Sequence, residues 1–407
     1  MNFLAAGALA LLLSACGSQA PDTTLVISSD PALGSRVAEL LPVLAERAGM
    51  ELTRPIRAER RTREELESYL LFKLDQELPP QEARVRTRSY ALLGMVPEDL
   101  DLRALLLSVY TEQVAGFYDP DSTALFVMDD MPVEMLETVL VHELVHAVQD
   151  QTANLDSLTA KGRGNDRQVA AQSAIEGHAT LVMLEHITEG LRGESVDFST
   201  LPDFSQSIRP ALEAMRDQYP VLASAPAIIQ ESLLFPYIEG ASFVAAFWQM
   251  EGGRPPPFGA FLPQSTEQVL NPERAASGEE DAPTELLLSI GGPWEVTYGN
   301  TLGQMEVQVL LDELLGDGNR ELAQGWDGDR FALLEDPEGG VDGLVWASVW
   351  DSGPRRDAFV SALAGRLSGL PLPATLVGEE ILGRPGAVLR VGLGREVELE
   401  VLEGQAR

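Results

Sequence analysis

The sequence predicts a mainly α-helical protein with a small sheet, followed by a small α+β region at residues 286–407. Apolar residues recur at helical spacing through most of the first part, which indicates amphipathic and buried helices. A short apolar segment with strand character, Ala124–Met128, interrupts these helices. At 45% hydrophobic residues, the chain of 407 residues can bury a sizeable core.

Several segments of the first part carry the helical pattern. They include Ser35–Gly49, Arg57–Leu78, Asp101–Ala115, Arg167–Leu191 and Ile228–Met250. In the second of these, arginines lie four positions from glutamates, which is typical of a solvated helix face. In the last, Pro236 predicts a bend. Asp129 or Asp130 is suited to cap the helix after the short strand, and Pro132 fits its first turn.

In the last part, strand-like and helix-like patterns alternate, without a ligand or catalytic cluster. We predict strands at Trp294–Tyr298, Phe331–Glu335, Leu344–Trp350, Ala387–Val391 and Glu396–Val401, and helices at Thr301–Leu315 and Arg355–Leu367.

The chemistry of the chain is concentrated in the apolar stretch Val139–Gln151, which contains His142, Glu143 and His146 in the pattern His-Glu-x-x-His. Residues four apart on an α-helix lie one turn along and point the same way, so both imidazoles face one point. Two such nitrogens can hold one Zn²⁺ at about 2.0–2.1 Å, with the glutamate beside them to act on a water. The spacing therefore predicts a zinc site with a general base.

A catalytic zinc needs a third protein ligand, and the next helical segment offers Glu176 and His178. These two residues lie about 200° apart on a helix, so only one can face the metal. Thr180 shares the face of Glu176 and can hydrogen-bond a ligating imidazole, which favours the glutamate. Asp150, one turn beyond His146, is the second residue that we expect to support the ligands.

The stretch from His142 to Asp150 resembles the active helix of thermolysin-like gluzincin metallopeptidases, and Ile175–Thr180 is similar to the helix that supplies their glutamate ligand. A longer series of motifs, beginning with Gly-Phe-Tyr-Asp-Pro at Gly116, resembles a family of bacterial lipoproteins with zincin-like domains. This second resemblance covers most of the chain from about residue 60 to residue 360. It implies a helical zincin-like metallopeptidase domain at residues 31–285.

The resemblance also implies the roles of individual residues. His142, His146 and Glu176 would hold Zn²⁺, and Glu143 would be the catalytic base. Gluzincins have a tyrosine or histidine further downstream that stabilises the oxyanion, but no motif in this chain matches it clearly. Tyr237 is the candidate for this catalytic role, and its alternative is a buried tyrosine that serves packing.

The strand Ala124–Met128 lies just before the proposed metal helix. An edge strand in that place can pair with an extended peptide substrate through its backbone. The alternative is an ordinary hairpin that covers one face of the core.

The amino-terminal residues favour export and lipid anchoring. The apolar segment Phe3–Leu13 is too short to span a bilayer, and the sequence Leu-Ser-Ala-Cys that ends at Cys16 resembles the bacterial lipoprotein cleavage box. We therefore expect a signal peptide at residues 1–16, lipidation of Cys16 and a tether at residues 17–30. The two residues before the apolar segment carry no positive charge, which departs from the usual signal.

The net charge of −34 argues against nucleic-acid binding and against a broad surface for anionic lipid. We expect contact with the membrane only through the lipid anchor, on a bacterial outer membrane or the periplasmic face of the envelope. The predicted function is zinc-dependent hydrolysis of peptide bonds in a peptide or protein substrate. The alternative is a non-catalytic binding or assembly protein of the envelope that keeps the scaffold.

Overall fold

The computed structural model describes residues 25–201, 219–276 and 281–404. The helices in these residues are α1 (Pro31–Arg47), α2 (Arg63–Glu77), α3 (Pro80–Leu92), α4 (Leu102–Gln113), α5 (Val133–Thr152), α6 (Leu155–Leu158), α7 (Asn165–Arg192), α8 (Pro220–Ser224), α9 (Ala227–Glu251), α10 (Thr266–Leu270), α11 (Pro272–Ala276), α12 (Gly303–Leu315) and α13 (Gly353–Ala364).

The strands are β1 (Val26–Ile27), β2 (Ile56–Arg61), β3 (Gly116–Asp119), β4 (Ala124–Met128), β5 (Leu286–Gly291), β6 (Glu295–Asn300), β7 (Trp326–Glu335), β8 (Gly343–Trp350), β9 (Ala374–Ile381), β10 (Arg384–Val391) and β11 (Glu398–Glu403). The predicted class, mainly helical with a small sheet and an α+β carboxyl-terminal part, is confirmed. No helix among the described residues is long and apolar enough to cross a membrane.

The first sheet has four strands in the order β1-β2-β4-β3. The strands β1, β2 and β4 are parallel, whereas β3 runs antiparallel to β4 and forms one edge. The segment Ala124–Met128 is a strand as predicted, but it is wholly buried between two neighbours and cannot be the edge. The edge next to the candidate site is β3, from Gly116 to Asp119.

The expected helix Arg57–Leu78 is wrong in its first part. Residues 56–61 form β2, in which Ile56 and Ala58 are buried while Arg57 is exposed. The helix begins after Thr62, whose hydroxyl accepts the backbone N–H of Glu65 while the Glu65 carboxylate accepts the N–H of Thr62. This capping box ends the strand, because it stabilises a helix start at that residue.

The carboxyl-terminal part is built on an antiparallel sheet of five strands in the order β6-β7-β8-β10-β9. One face packs against α12 and α13, and the other carries the ribbon of β5 and β11. β5 and β9 are additional to the predicted strands. The apolar core is continuous from α1 through α12 to β10, so the two parts of the chain share it.

Three helices, α5, α7 and α9, carry the candidate site residues described above, and α7 packs against each of the other two. The approach of α7 to α9 is closest where Gly177 meets Gly240. A Cβ at Gly177 would lie 2.0 Å from the carbonyl carbon of Gly240, and a Cβ at Gly240 would lie 2.2 Å from the carbonyl oxygen of Ser173. Only glycine allows two backbones to come this close.

The start of α7 is held by the carboxyl-terminal part of the chain. The backbone N–H of Asn165 donates to the side-chain oxygen of Asn300, and the N–H of Asp166 donates to the hydroxyl of Thr301. These bonds satisfy backbone donors that a helix start leaves unpaired. Asp166 in turn accepts two bonds from Thr266, one from its backbone and one from its hydroxyl.

Replacing Gly177 with alanine is expected to lower the free energy of unfolding by about 2 kcal/mol or more, because the added methyl group overlaps the α9 backbone. Gly190→Ala, on the exposed end of the same helix, is the matched control, since nothing lies within 4 Å of the added carbon. We expect that control to be neutral or slightly stabilising, as alanine favours helix. Urea denaturation measures both variants, and equal stability of the two would contradict the close crossing.

The junction also predicts a dependence of stability on pH. Asp329, on β7, accepts the backbone N–H groups of Leu302 and Gly303 beside this junction. Burial raises the pKa of Asp166 to about 7 and that of Asp329 to about 6, although hydrogen bonds to both carboxylates oppose the shift. The folded chain therefore keeps protons that the unfolded chain releases above about pH 4. We expect the melting temperature to fall as pH rises from about 4 to 7 through these groups. Asp166→Asn cannot titrate at that position and should show a shallower fall, whereas an unchanged slope would contradict the assignment.

Candidate metal centre

The helices α5 and α7 bring His142, His146 and Glu176 together. The Nε2 atoms of the two histidines are 3.1 Å apart. The Oε2 atom of Glu176 lies 3.1 Å from Nε2 of His142 and 3.3 Å from Nε2 of His146. Ligands of a tetrahedral zinc at about 2.0–2.1 Å are separated by roughly 3.3 Å. The three donor atoms therefore have the spacing that such an ion requires.

The charge of the cluster also suits a cation. Burial opposes ionisation of Glu176, but the imidazoles of His146 and His142 outweigh it and hold the pKa of this carboxyl well below its usual range. Burial likewise disfavours a charge on His146, yet Glu176 raises the pKa of that imidazole to about 9. The carboxylate thus favours positive charge at this point, which a divalent cation can supply.

Gln149 fixes the tautomer of His146, and the sequence pattern alone does not predict this role. Its Nε2 donates to the carbonyl oxygen of Ile175 at 2.9 Å, and that oxygen can only accept. Its Oε1 therefore faces Nδ1 of His146, at 2.8 Å, and accepts a hydrogen bond from the N–H at that position. When the ring is neutral, as it must be to bind a metal ion, a proton on Nδ1 leaves the lone pair of His146 on Nε2, the atom that faces Glu176 and His142.

His178, the rival third ligand, lies outside the cluster. Its Nδ1 accepts from Nε2 of Gln149 at 3.0 Å, and its ring packs edge-on against Trp248. Burial lowers the pKa of His178 to about 3, so this histidine is neutral. His178 contacts Gln149 on the side away from His146, and Glu176 is the residue of α7 that lies within 3.3 Å of both His142 and His146.

The two residues expected to support the ligands have different positions. The hydroxyl of Thr180 is buried and has no hydrogen-bond partner among the described residues, so it does not orient an imidazole. Asp150 accepts a bond from the hydroxyl of Tyr118 at 2.9 Å. The residue that orients the imidazole of His146 is instead Gln149, three residues further along the same helix.

Glu143 is tied to the edge strand β3. One of its carboxylate oxygens accepts the backbone N–H of Tyr118 at 2.8 Å, and the other has no partner among the described residues. Through the Tyr118 hydroxyl, Asp150 holds the same residue of the strand. The helix α5 thus anchors β3 through Glu143 and Asp150, which lie about two helical turns apart, and leaves one oxygen of Glu143 free to accept a proton.

Tyr237 lies beside the cluster, on α9. Its ring stacks on that of His142, with centroids 5.8 Å apart and planes inclined by 24°. The residue is 36% exposed overall. Burial at its hydroxyl and the carboxylates of Glu176 and Glu143 raise the pKa of Tyr237 well above its usual value, which keeps the proton on the hydroxyl. This position differs from that of a buried packing tyrosine and can donate a hydrogen bond into the site.

The start of α5 differs from the prediction. Pro132 occupies the position before Val133, and no side chain caps the helix. Asp130 instead forms an ion pair with Arg63 at 2.9 Å. Cys16 and the rest of the expected signal peptide lie outside the described residues.

A cavity of about 630 Å³ opens beside His146 and Glu176. It runs along α7, which lines it with one face of the helix from Asn165 to Glu176. Tyr118 of β3 and Leu155 of α6 line the same cavity. The cluster therefore lies in the wall of a space large enough for a small peptide.

Comparison with known proteins gives one family match, to a family described as "Domain of unknown function (DUF8575)", over residues 295–391. This range extends from the first residue of β6 to the last residue of β10, so it contains the whole five-stranded sheet with α12 and α13. No curated protein and no solved structure matches the chain.

Loss of the Gln149 amide is expected to weaken Zn²⁺ binding about 10- to 100-fold, because the ligating imidazole loses its fixed tautomer and orientation. Gln149→Leu tests this, and Thr180→Val is the matched control, since the Thr180 hydroxyl has no partner among the described residues to lose. Competition with a chromophoric chelator measures the affinity of both variants. Equal affinities would contradict the role of Gln149.

Proposed function

We propose that this protein is a zinc-dependent peptidase with a zincin-like catalytic domain of the gluzincin type. The observation that carries the proposal is the convergence of His142 Nε2, His146 Nε2 and Glu176 Oε2 within 3.3 Å of one another, beside a cavity. A neutral-histidine pair with one carboxylate is the donor set of many catalytic zinc sites, which keep a further position open.

The residues of the chain support hydrolysis of a peptide bond as follows. A bound Zn²⁺ supplies Lewis acidity, which polarises a carbonyl group and lowers the pKa of water. Glu143 accepts the proton of the attacking water at its free oxygen and then donates it to the nitrogen of the leaving amine. The products are a carboxylic acid and an amine, so the water supplies both the new hydroxyl and the proton.

Two neighbours of Glu143 complete this arrangement. The hydroxyl of Tyr237 keeps its proton and can donate to the oxyanion that develops at the carbonyl. The backbone of Tyr118 turns its N–H away from β4, toward Glu143. Because N–H and C=O of one strand residue point to the same side, its carbonyl also faces the open edge. An extended substrate can pair there.

The edge that serves this purpose is β3 rather than β4. A substrate lying along β3 is held next to the residue that bonds Glu143, so its carbonyl is brought to the base without a separate element. We further propose that the protein is anchored in the bacterial envelope by lipid on Cys16, on the sequence features of residues 1–16.

The test of the mechanism is Glu143→Gln. We expect this variant to retain a full equivalent of zinc and to lose peptide cleavage by about 10³-fold or more, because the side chain keeps its size but accepts no proton. Glu176→Ala is the companion variant and should lose both zinc and cleavage. Metal content by mass spectrometry and hydrolysis of a peptide library are measured on the same samples.

Cleavage that persists in Glu143→Gln would overturn the assigned base. A chain that binds zinc at the three ligands but cleaves no member of the library would support a non-catalytic binding protein instead.

A further inference from the structure

The cavity beside the metal cluster has a second polar end, and the carboxyl-terminal part of the chain builds it. Glu306, on α12, lines the cavity together with Tyr90, Asn165 and Arg86. It lies within the region of the family match, at residues 295–391. The cavity therefore has one end made by α5 and α7, and another made in part by α12.

Glu306 has an oxygen that no group of the described chain uses. Its Oε1 accepts the hydroxyl of Tyr90 and the amide of Asn165, both at 2.7 Å. Its Oε2 is buried and has no hydrogen-bond partner in the described ranges, and the residue is only 1% exposed. A buried carboxyl oxygen without a partner costs free energy, which a ligand that reaches it can restore.

The other charges of the cavity indicate the sign of that ligand. Outside the metal cluster, the acidic residues that line it are Glu77, Glu82, Asp156 and the buried Glu306. Arg86 is the one lysine or arginine among the described lining residues, and it lies 3.4 Å from Glu82. The carboxylates exceed the cation, so the cavity favours a positively charged group over a negative one.

The helix α7 sets the distance between the two ends. Asn165, which bonds Glu306, and Glu176, in the metal cluster, lie eleven positions apart on this helix. That separation is about 16 Å of helix rise. An extended peptide covers the same distance in roughly five residues, since each advances about 3.3 Å.

We propose that Glu306 binds a lysine or arginine side chain of the substrate, up to about five residues from the bond that is cleaved. This inference rests on the proposed peptidase function. Glu306 is a specificity residue: it touches the substrate far from the reacting atoms. It also gives the carboxyl-terminal part of the chain a role, because that part supplies the residue that selects the substrate.

The experiment compares peptides that carry lysine or its uncharged analogue norleucine at each position up to five residues from a cleaved bond. For wild-type protein we expect kcat/KM at one of these positions to be roughly tenfold or more higher with lysine than with norleucine, since a buried carboxylate gains a partner. In Glu306→Gln the advantage should disappear, with the change in KM and not in kcat, because the contact is remote from the chemistry.

Asp156→Asn is the matched control. It replaces an acidic side chain of the same cavity with its amide at an exposed position, where solvent screens the interaction, so we expect less than about a threefold change. Absence of a lysine preference over norleucine at every position in the wild-type protein would overturn the inference, whether or not the Glu306 variant folds. An effect of Asp156→Asn as large as that of Glu306→Gln would overturn the assignment to Glu306.

Failure of the inference and failure of the proposed function give different results. Binding of the same labelled peptides to the Glu143→Gln protein is measured by fluorescence anisotropy. If lysine peptides bind in preference but the wild-type protein cleaves none, hydrolysis is wrong and the binding role of Glu306 stands. If cleavage occurs without a lysine preference, the peptidase stands and the role of Glu306 is wrong.

Discussion

The contact of Gly177 with Gly240 is the constraint on which the site depends. Because neither residue has a side chain, α7 and α9 cross backbone to backbone. Glu176 precedes one of these glycines, and Tyr237 lies three residues before the other. The crossing therefore brings both the Glu176 carboxylate and the Tyr237 ring next to His142. A wider crossing would separate the carboxylate from the tyrosine. The geometry of the site therefore depends on Gly177 and Gly240, which have no side chains that could take part in binding or catalysis.

A second constraint is the polar network behind the ligands. Gln149 contacts His146, His178 and the carbonyl of Ile175 at once, and its amide has only one orientation that satisfies all three. Such a network is costly if any member is missing, because each group is buried. It therefore orients the imidazole more strictly than packing alone would. The edge strand is held in a similar way, by a backbone bond to Glu143 and a hydroxyl bond to Asp150.

The sequence predicts those parts of the candidate site that depend on the spacing of residues within a single helix. The spacing of His142 and His146 is a property of a single helix, and Glu176 follows from which face of α7 approaches it. The hydrogen bonds of Gln149 could not be predicted, because they join residues of α5 and α7. The sequence pattern does not show which residues of two different helices come into contact. Residues 57–61 fit the predicted helix because their arginines, spaced four residues from glutamates, suit a solvated helix face. Two alternating buried residues, Ile56 and Ala58, are too few to predict a strand, although Thr62 and Glu65 indicate where the helix begins.

The position of Glu306 could not be predicted from the sequence either, since only the fold brings α12 to the cavity.

The helix α7 joins the metal cluster to the polar end of the cavity without a loop between them. Its length is set by hydrogen bonds along its backbone, so the two ends cannot approach or separate by bending of a hinge. Insertion of one residue between Asn165 and Glu176 would turn one end by about 100° relative to the other. Small insertions or deletions in this helix therefore destroy the relation between the ends instead of adjusting it. Changes in the preferred length of a ligand must therefore come from the other walls of the cavity, to which Glu306 of the carboxyl-terminal part contributes.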